Sequence, residues 1–386
     1  MAKSAVIYVC KGIPARAGGG LGVAYNYLSA VWGRPLEPAA CDHILLCGMA
    51  ELALPSSAES LDACLASLDL GPKQGAKLVI WQAGRIREIA GHYDRVVVLA
   101  FTPFYLWPLI QVLGKKLVTI HSEHGKGGRH NELAEERGKF GLRERFVQWC
   151  VGHNFRFPDR VVFPSRGALG LFTEKNPGLK QIAEEKAAIL YNGVSTCEAP
   201  PPRANQGPLK IVSVAHHVRE KGLDMMLDAL QLATAAGVEW SMINYGQPSN
   251  LTPELVAQAE KLGIGSRITH AGLQPQAVVR QQLGAADVFL HTPVIVVFDL
   301  SLLEAMMHAV PVVTVPLEGN REALGEDYPL YATTPAEVAE RLQWVSAHRE
   351  EAGKIGESLR ERALRLFTSD AMVKHYAGLL TQLAGA

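Results

Sequence analysis

The chain has 386 residues, with 38 basic and 38 acidic side chains, so its formal net charge is zero. A neutral chain has no overall field that attracts nucleic acid, so no nucleic-acid partner is expected. One hydrophobic core rarely supports this length, and the sequence therefore predicts two domains.

Apolar runs of strand length alternate with helical patterns, which favours an α/β fold with parallel sheets covered by helices on both faces. In the first half of the chain we predict one helix, at residues 23–31. The predicted strands of this half are 5–10, 43–47, 78–82, 95–101, 117–121, 160–164 and 188–191. The second half starts a new series of strands, at 209–215, 239–245, 268–271, 288–291, 312–315 and 330–332.

The segment between these series, residues 198–208, reads EAPPPRANQGP and has the composition of an extended linker. Residues 349–386 are helical in pattern, with a break near 367–369 where Ser369 is placed to cap a last amphipathic helix. We therefore predict domains at 1–197 and 209–368, the linker 198–208, and a C-terminal helix at 369–386.

The six cysteines are dispersed, with no Cys-x-x-Cys pair and no zinc-like spacing, so we expect reduced, mostly buried thiols. No Ser-His-Asp order and no metal-binding cluster stands out. The sequence also lacks an apolar stretch long enough for a signal peptide or a membrane span, which makes a cytoplasmic location the default expectation.

The most informative segment lies between the predicted strands 288–291 and 312–315, where a helix opens and carries Glu304. This carboxylate should lie at the carboxyl edge of a parallel sheet, where α/β folds bind ligands. A simpler interpretation is a capping box, in which Ser301 and Glu304 satisfy backbone donors at the helix start. Both interpretations stay open at this point.

A glycine-rich segment, GGGLG at 18–22, follows the first strand and precedes the first helix, so Gly19 and Gly20 can bring backbone N–H groups close to a ligand. The rival interpretation, a dinucleotide-binding fingerprint, fails because Val23 stands where the third glycine is required and no acidic residue closes the second strand.

These segments resemble a known family, the retaining glycosyltransferases of GT-B type (family 4-like, glycosyl transferases group 1). Such enzymes typically carry EPFGLxxLEAM, and this chain has VVFDLSLLEAM at 296–306. The resemblance continues in FPS at 163–165, YNGV at 191–194, EKGLD at 220–224, PVV at 311–313 and GNRE at 319–322. It implies a GT-B fold: two Rossmann-like, doubly wound domains that face each other across a cleft, with the last helix returning to the first domain.

The resemblance places the donor in the second domain. Related enzymes have an arginine at the position of His216 and a lysine at that of Lys221, and both stabilise a diphosphate leaving group. Arg219 is a candidate for the missing permanent charge. The resemblance assigns the ribose hydroxyls to Glu304. It implies further donor contacts from Gly19, Gly20, Asp299, Leu300 and Ser301.

Two residues depart from the family pattern. Val296 replaces the first glutamate of the paired signature, and Asp299 replaces a glycine. Asp299 is the nearest replacement carboxylate, although stabilisation of the helix dipole explains it equally well. Lys221 and Arg219 have the alternative interpretation of solvated loop charges, and Glu322 is a weaker candidate for the donor.

Related enzymes have a histidine after the strand 117–121, lining the reaction centre, and His121 matches it. Glu123, His124 and Lys126 are candidates on the acceptor side. A hydrogen-bonded structural histidine is the alternative for His121. The implied reaction transfers a hexosyl group with retention and needs no metal or cofactor, since fixed cations replace Mg²⁺. A UDP-sugar is the favoured donor by family frequency.

The implied acceptor is a saccharide or a glycolipid of a bacterial surface polysaccharide or lipopolysaccharide pathway. One stretch of the first domain interleaves aromatic residues with basic ones, the latter being Lys115, Lys116, Lys126, Arg129, Arg137, Lys139, Arg143, Arg145 and Arg156. We hypothesise that it meets an anionic membrane surface, which would place the protein peripherally at the inner face. A helix of mixed charges is the alternative, because four glutamates, Glu144 among them, lie in the same stretch.

A second function from a different class also fits the sequence. Val296 and His216 depart from the family pattern at donor-binding positions, so the chain is alternatively a catalytically silent GT-B protein that acts as a binding or regulatory partner.

Overall fold

The computed structural model describes residues 3–11, 19–54, 60–61, 64–65, 76–101, 107–125, 141–198 and 206–384. The chain forms two compact units: unit 1 consists of Met1–Ser195 with Ser369–Ala386, and unit 2 of Thr196–Thr368. The division falls just ahead of the predicted linker 198–208, of which residues 199–205 lie outside the described part. The final helix is part of unit 1.

Unit 1 is built on one seven-stranded sheet, counted over the described residues, in the order β3-β2-β1-β4-β5-β6-β7. Its strands are β1 (Ser4–Cys10), β2 (Cys41–Cys47), β3 (Ala50–Leu54), β4 (Arg95–Ala100), β5 (Leu117–Ser122), β6 (Arg160–Phe163) and β7 (Ala187–Ile189). All neighbouring strands are parallel except β2 and β3, which form an antiparallel hairpin. Strand β3 was not predicted from the sequence. Its burial alternates along the strand, as is typical of an edge strand.

The helices of unit 1 cover both faces of this sheet. They are α1 (Gly19–Val31), α2 (Ala76–Ala90), α3 (Trp107–Gln111), α4 (Leu142–Arg156), α5 (Arg166–Lys175), α6 (Lys180–Lys186) and, after unit 2, the last helix, Ser369–Ala384. Side chains alternate along β1, so that Ile7 and Val9 join one apolar cluster with Ile86 of α2. Tyr8 points the other way and lies 5.7 Å, between ring centroids, from Tyr27 of α1.

The predicted strand 78–82 was wrong, because these residues belong to helix α2. Leu78, Gln82 and Ile86 are buried at a spacing of four residues, whereas Ile80 is 56% exposed. A short apolar run cannot distinguish a strand from a buried helix segment, and here the helical spacing over the whole 15-residue segment decides.

Unit 2 has a five-stranded parallel sheet in the order β10-β9-β8-β11-β12. The strands are β8 (Leu209–Val214), β9 (Trp240–Tyr245), β10 (Ile268–Gly272), β11 (Val288–His291) and β12 (Val312–Thr314). The predicted strand 330–332 is reduced to one isolated bridge, between Tyr331 and Thr314 of β12.

The helices of unit 2 connect these strands and then close the unit. They are α7 (Leu223–Ala235), α8 (Thr252–Lys261), α9 (Gln276–Ala285), α10 (Leu300–Met307), α11 (Glu318–Leu324), α12 (Pro335–Ala347) and α13 (Arg349–Leu366). The last helix of the chain, Ser369–Ala384, is α14. Strands buried on both faces are mostly apolar, as at 288–290, which explains why apolar runs of strand length located most of them.

All six cysteines are free thiols, and five of them are buried while Cys197 is half-buried. The expectation that the cysteines are mostly buried is confirmed.

Candidate functional site

The candidate donor site of unit 2 lies where the strand order reverses. Strand β8 comes first in the chain among the strands of this sheet but lies at its centre, with β9 on one side and β11 on the other. The helices that follow β8 and β11 lead away to opposite sides of such a point, which leaves a crevice at the carboxyl ends of the strands. The loop after β8 carries Lys221, and the loop after β11 leads to Asp299 and α10.

These two loops are joined by backbone contacts. Gly222 has a left-handed conformation with φ of 58°, and a Cβ atom there would overlap the carbonyl oxygen of Thr292. The Thr292 hydroxyl donates to the Gly222 carbonyl at 2.9 Å, and the Val294 N–H donates to the Glu220 carbonyl at 2.9 Å. Only glycine allows this close approach, so Gly222 fixes the position of the neighbouring Lys221.

Lys221 forms an ion pair with Asp299. Its Nζ lies 2.5 Å from Asp299 Oδ2, and the two side chains are only 17% and 20% exposed. His291 Nε2, at the end of β11, lies 3.1 Å from the same oxygen. Burial alone would raise the pKa of Asp299, but the Lys221 ammonium and the His291 hydrogen bond hold that pKa far below its usual range.

His291 is neutral in this arrangement. Burial lowers its pKa, and the nearby Lys221 charge lowers it further, although Asp299 opposes both effects. A carboxylate only accepts, so Nε2 carries the proton and donates to Asp299. The other ring nitrogen, Nδ1, lies 3.2 Å from the hydroxyl of Thr314, which in turn accepts from Asn320. The sequence predicts His291 at the end of a strand, but nothing local in it indicates the contact with Asp299.

The start of α10 is not a capping box. Asp299 is the N-cap residue, but its side chain makes no capping bond because it faces Lys221 and His291. Ser301 and Glu304 are the second and fifth residues of the helix, so Glu304 lies in its second turn. The buried Ser301 hydroxyl has no hydrogen-bond partner in the described part of the chain, and Leu300 is half-buried. The capping-box interpretation was wrong.

Glu304 is 9% exposed and is held by two residues of α9. Gln276 Nε2 donates to Glu304 Oε1 at 2.5 Å, and Arg280 Nη2 lies 3.7 Å from the same oxygen. Burial raises the pKa of Glu304, and Arg280 opposes this rise. Sequence analysis missed both partners, although their spacing of four residues places them on one face of a helix.

His216 and Arg219 each contact a residue outside the loop that follows β8. His216 is exposed, and its Nδ1 accepts from the Gln247 N–H at 2.8 Å, which leaves the proton on Nε2. The Arg219 guanidinium is 79% exposed and lies 3.4 Å from Glu254 of α8. Val296 is half-buried, and the segment that contains it packs against Gly319 of α11, where a Cβ atom would lie 2.5 Å from the Val297 carbonyl oxygen.

The candidate acceptor residues of unit 1 follow β5. His121 is fully buried. Its Nε2 lies 3.2 Å from Glu123 Oε2, and its Nδ1 has no hydrogen-bond partner among the described residues. Burial alone would raise the pKa of Glu123, but bonds from His121 and the Gly125 N–H lower it. The structure therefore supports a preformed, charged Glu123.

His124 lies beside this pair and is tied to the last helix. Its Nε2 lies 2.8 Å from the Ser122 hydroxyl, which lies 3.1 Å from the hydroxyl of Tyr376 in α14. Burial lowers the pKa of His124 to about 4, so its ring is neutral at physiological pH. Gly19 and Gly20 form the start of α1, and Lys126 lies outside the described residues.

Part of the chain matches a family model, and the whole chain resembles solved structures in its fold. Residues 208–348 match the family model described as Glycosyl transferases group 1. Anabaena HepE, solved in complex with UDP and glucose, is 16% identical over 99% of this chain and 100% of that chain, with a TM-score of 0.70. The chain has the GT-B fold.

Two further GT-B neighbours are similar in structure. The lipopolysaccharide outer core galactosyltransferase WaaB is 15% identical over 98% of this chain and 99% of that chain, with a TM-score of 0.62. S. aureus TarM, solved with fondaparinux, α-GlcNAc-glycerol and UDP, is 13% identical, with a TM-score of 0.60 over 78% of this chain. The chain spans 58% of the length of TarM. No curated protein sequence matches the chain.

The described residues contain neither a candidate metal-binding group nor a helix suited to cross a membrane. No three His, Cys, Asp or Glu side chains there form a group that could hold a metal. No helix in the described ranges combines the length and the apolar composition that crossing a membrane requires.

Proposed function

We propose that the chain is a retaining glycosyltransferase that moves a hexosyl group from a nucleotide-sugar to a saccharide or lipid-linked acceptor. The observation that carries the proposal is the meeting of Lys221 with the start of α10 at the switch point of the second sheet. That arrangement combines a cation with the N–H groups of a helix start, which suits a diphosphate.

Each candidate site residue of unit 2 has a defined role in this proposal. The Lys221 ammonium neutralises the charge that develops on the leaving diphosphate, and the His216 Nε2–H adds a hydrogen bond. Glu304 accepts from the ribose hydroxyls, because a carboxylate takes two neighbouring donors side by side. Gln276 and Arg280 hold its Oε1 in place, and Arg280 opposes the rise in the pKa of Glu304 that burial causes.

A uridine nucleotide is the base we propose. HepE and TarM are both described in complex with UDP. TarM also carries α-GlcNAc-glycerol and WaaB is named for lipopolysaccharide outer core, which supports a surface glycan or glycolipid as the product. The proposal has fixed cations of the chain in place of Mg²⁺, so turnover should persist in EDTA.

In unit 1 we assign the acceptor to Glu123 and His124. His121 is fully buried and contacts Glu123, so we propose that it acts as a positioning residue rather than by touching the substrate. Its hydrogen bond to Glu123 lowers the pKa of that carboxyl against the effect of burial.

We also propose that the first half of α4 meets an anionic membrane surface from the cytoplasmic side. Leu142, Phe146 and Trp149 share one face at helical spacing and are 85%, 64% and 56% exposed. Glu144, one of the four glutamates behind the mixed-charge interpretation, is buried and accepts from the Gly141 N–H, whereas Arg145 is exposed. The other three glutamates lie outside the described residues. Aromatic side chains beside a cation suit the interface of an anionic bilayer. Flotation with anionic but not neutral vesicles would support this, and no flotation at low salt would reject it.

The test of the main proposal is turnover. The purified chain is incubated with UDP-glucose, UDP-galactose and UDP-N-acetylglucosamine, and released UDP is measured with and without EDTA. Lys221→Met and Glu304→Ala should each lower release by at least about tenfold. The matched control Lys354→Met removes an exposed lysine of unit 2 and should leave release unchanged. No protection against heat by any nucleotide would contradict the proposal.

A second candidate is a catalytically silent GT-B protein, and one observation favours it. The ammonium of Lys221 is already neutralised by Asp299, at the position where related enzymes have glycine. Binding of UDP without release of UDP from any of the sugars would support this candidate.

A further inference from the structure

Asp299 has an unusual partner for a helix N-cap residue. An N-cap aspartate normally accepts from the N–H groups of the first turn, and this one makes no such bond. Its carboxylate instead faces the loop after β8 and pairs with Lys221 at 2.5 Å. The Asp299 side chain therefore contacts Lys221 instead of capping the helix.

The pair changes the electrostatics of the donor site. Both side chains are mostly buried, so water screens their attraction weakly. A diphosphate that approaches Lys221 must compete with a carboxylate already in contact, and it also meets the negative charge of Asp299. Like charges brought together in a dry site disfavour binding.

His291 keeps Asp299 in place when Lys221 moves. Its Nε2–H donates to Asp299 at 3.1 Å, and Thr314 and Asn320 support the other side of the ring. The carboxylate thus retains one buried donor after the lysine has left. Lys221, by contrast, has a long and flexible side chain that can turn toward a phosphate without moving the backbone.

We infer that Asp299 is an internal counterion of Lys221, which the donor diphosphate must displace, and that it weakens nucleotide binding by unit 2. The inference rests on the proposed function, because it concerns the diphosphate of that donor. It assigns to Asp299 a role in setting affinity, and not a role in the chemical step.

The test is the affinity for UDP, measured by titration calorimetry. Asp299→Asn keeps the shape and removes the charge, and it should bind UDP at least about tenfold more tightly than the wild type, as expected for loss of one close competing charge. Asp299→Gly removes the same carboxylate and should also bind UDP more tightly than the wild type. Glu239→Gln, which removes a 71% exposed carboxylate paired with Arg267 in the same unit, is the control and should leave the affinity unchanged.

A double-mutant cycle separates this role from a structural one. If Asp299 acts mainly through Lys221, the gain in UDP affinity from Asp299→Asn is several-fold smaller in a Lys221→Met background, where only the direct repulsion remains. A gain of equal size in both backgrounds overturns the inference. So does a selective loss of UDP-glucose affinity relative to UDP in Asp299→Asn, because this would identify Asp299 as an acceptor for sugar hydroxyls.

The outcomes distinguish the inference from the proposed function. If the wild type binds UDP and Asp299→Asn binds it equally or more weakly, the inference is wrong and the proposed function stands. If UDP binds neither the wild type nor any variant, the proposed function is wrong and the inference falls with it.

Discussion

Replacement of Gly222 by alanine tests how the donor loop of unit 2 is held. Gly222 has a φ of 58°, and its added methyl group would overlap the Thr292 carbonyl oxygen. The two backbone segments must separate to relieve this overlap. Their separation breaks the bonds from Thr292 to Gly222 and from Val294 to Glu220, which are 2.9 Å each.

The expected cost follows from these contacts. The left-handed conformation costs an alanine about 1–2 kcal/mol, and each lost hydrogen bond costs about 0.5–1.5 kcal/mol, which gives about 2–5 kcal/mol in total. For a domain of this size, each kcal/mol lowers the melting temperature by about 2–4 °C, so Gly222→Ala should lower it by about 4–20 °C.

Gly237→Ala is the matched control. Gly237 also has a positive φ, of 80°, but no atom lies within 4 Å of its added Cβ. The left-handed strain and the reduced entropy of the unfolded chain apply to both variants, so they cancel in the comparison. The remaining difference, about 1–3 kcal/mol, measures the lost contact with Thr292 and Val294 alone.

The assay is calorimetric unfolding, with peptide-level hydrogen exchange to assign the change to unit 2. Gly222→Ala should also bind UDP more weakly, since Lys221 moves with the loop. Equal destabilisation by Gly222→Ala and Gly237→Ala would refute the reasoning, because it would mean that the close approach to Thr292 contributes nothing.

Three further predictions concern stability and pH. Arg349→Met leaves Asp287, its partner at 2.8 Å with both side chains 9% exposed, as an uncompensated buried charge. It should cost about 3–5 kcal/mol in urea unfolding, whereas Lys354→Met in an exposed pair should change nothing measurable; equal effects would contradict this. Burial lowers the pKa of His124 from 6.5 to about 4, so the unfolded chain takes up a proton first and unit 1 loses stability as the pH falls through this window. His124→Asn should flatten that slope in urea titrations between pH 7 and pH 4, and an unchanged slope would count against it. Burial raises the pKa of Glu304 and Arg280 opposes this, so Arg280→Met raises that pKa further, and the stabilisation present at low pH is lost as the pH rises through it. The variant should therefore be destabilised more at pH 7.5 than at pH 4, and the reverse order would show that Arg280 does not keep Glu304 charged.

Local patterns in the sequence located most of the strands and singled out two candidate residues of the donor site. Strands buried on both faces are mostly apolar, so runs such as 288–290 stand out from a single sequence. The loops after the strands carry polar residues, and this position made Glu304 a candidate, whereas Lys221 became one through the family resemblance and its place after a strand. The prediction of strands from short apolar runs failed at 78–82. This run belongs to a helix, as the burial of Leu78, Gln82 and Ile86 at helical spacing shows.

The partners of these residues came from the tertiary structure. Lys221 and Asp299 are 78 positions apart in the chain, and Gln276 and Glu304 are 28 apart. Lys221 and Asp299 meet because β8 and β11 are neighbours in the sheet, an order that the alternation of strands and helices does not specify. Gln276 and Glu304 meet because the helices α9 and α10, which precede and follow β11, bring them together. Sequence determines which segments are buried, since burial requires apolar side chains. Which charges face each other depends on the strand order and loop contacts, because ion pairs form through space between residues that share no local pattern.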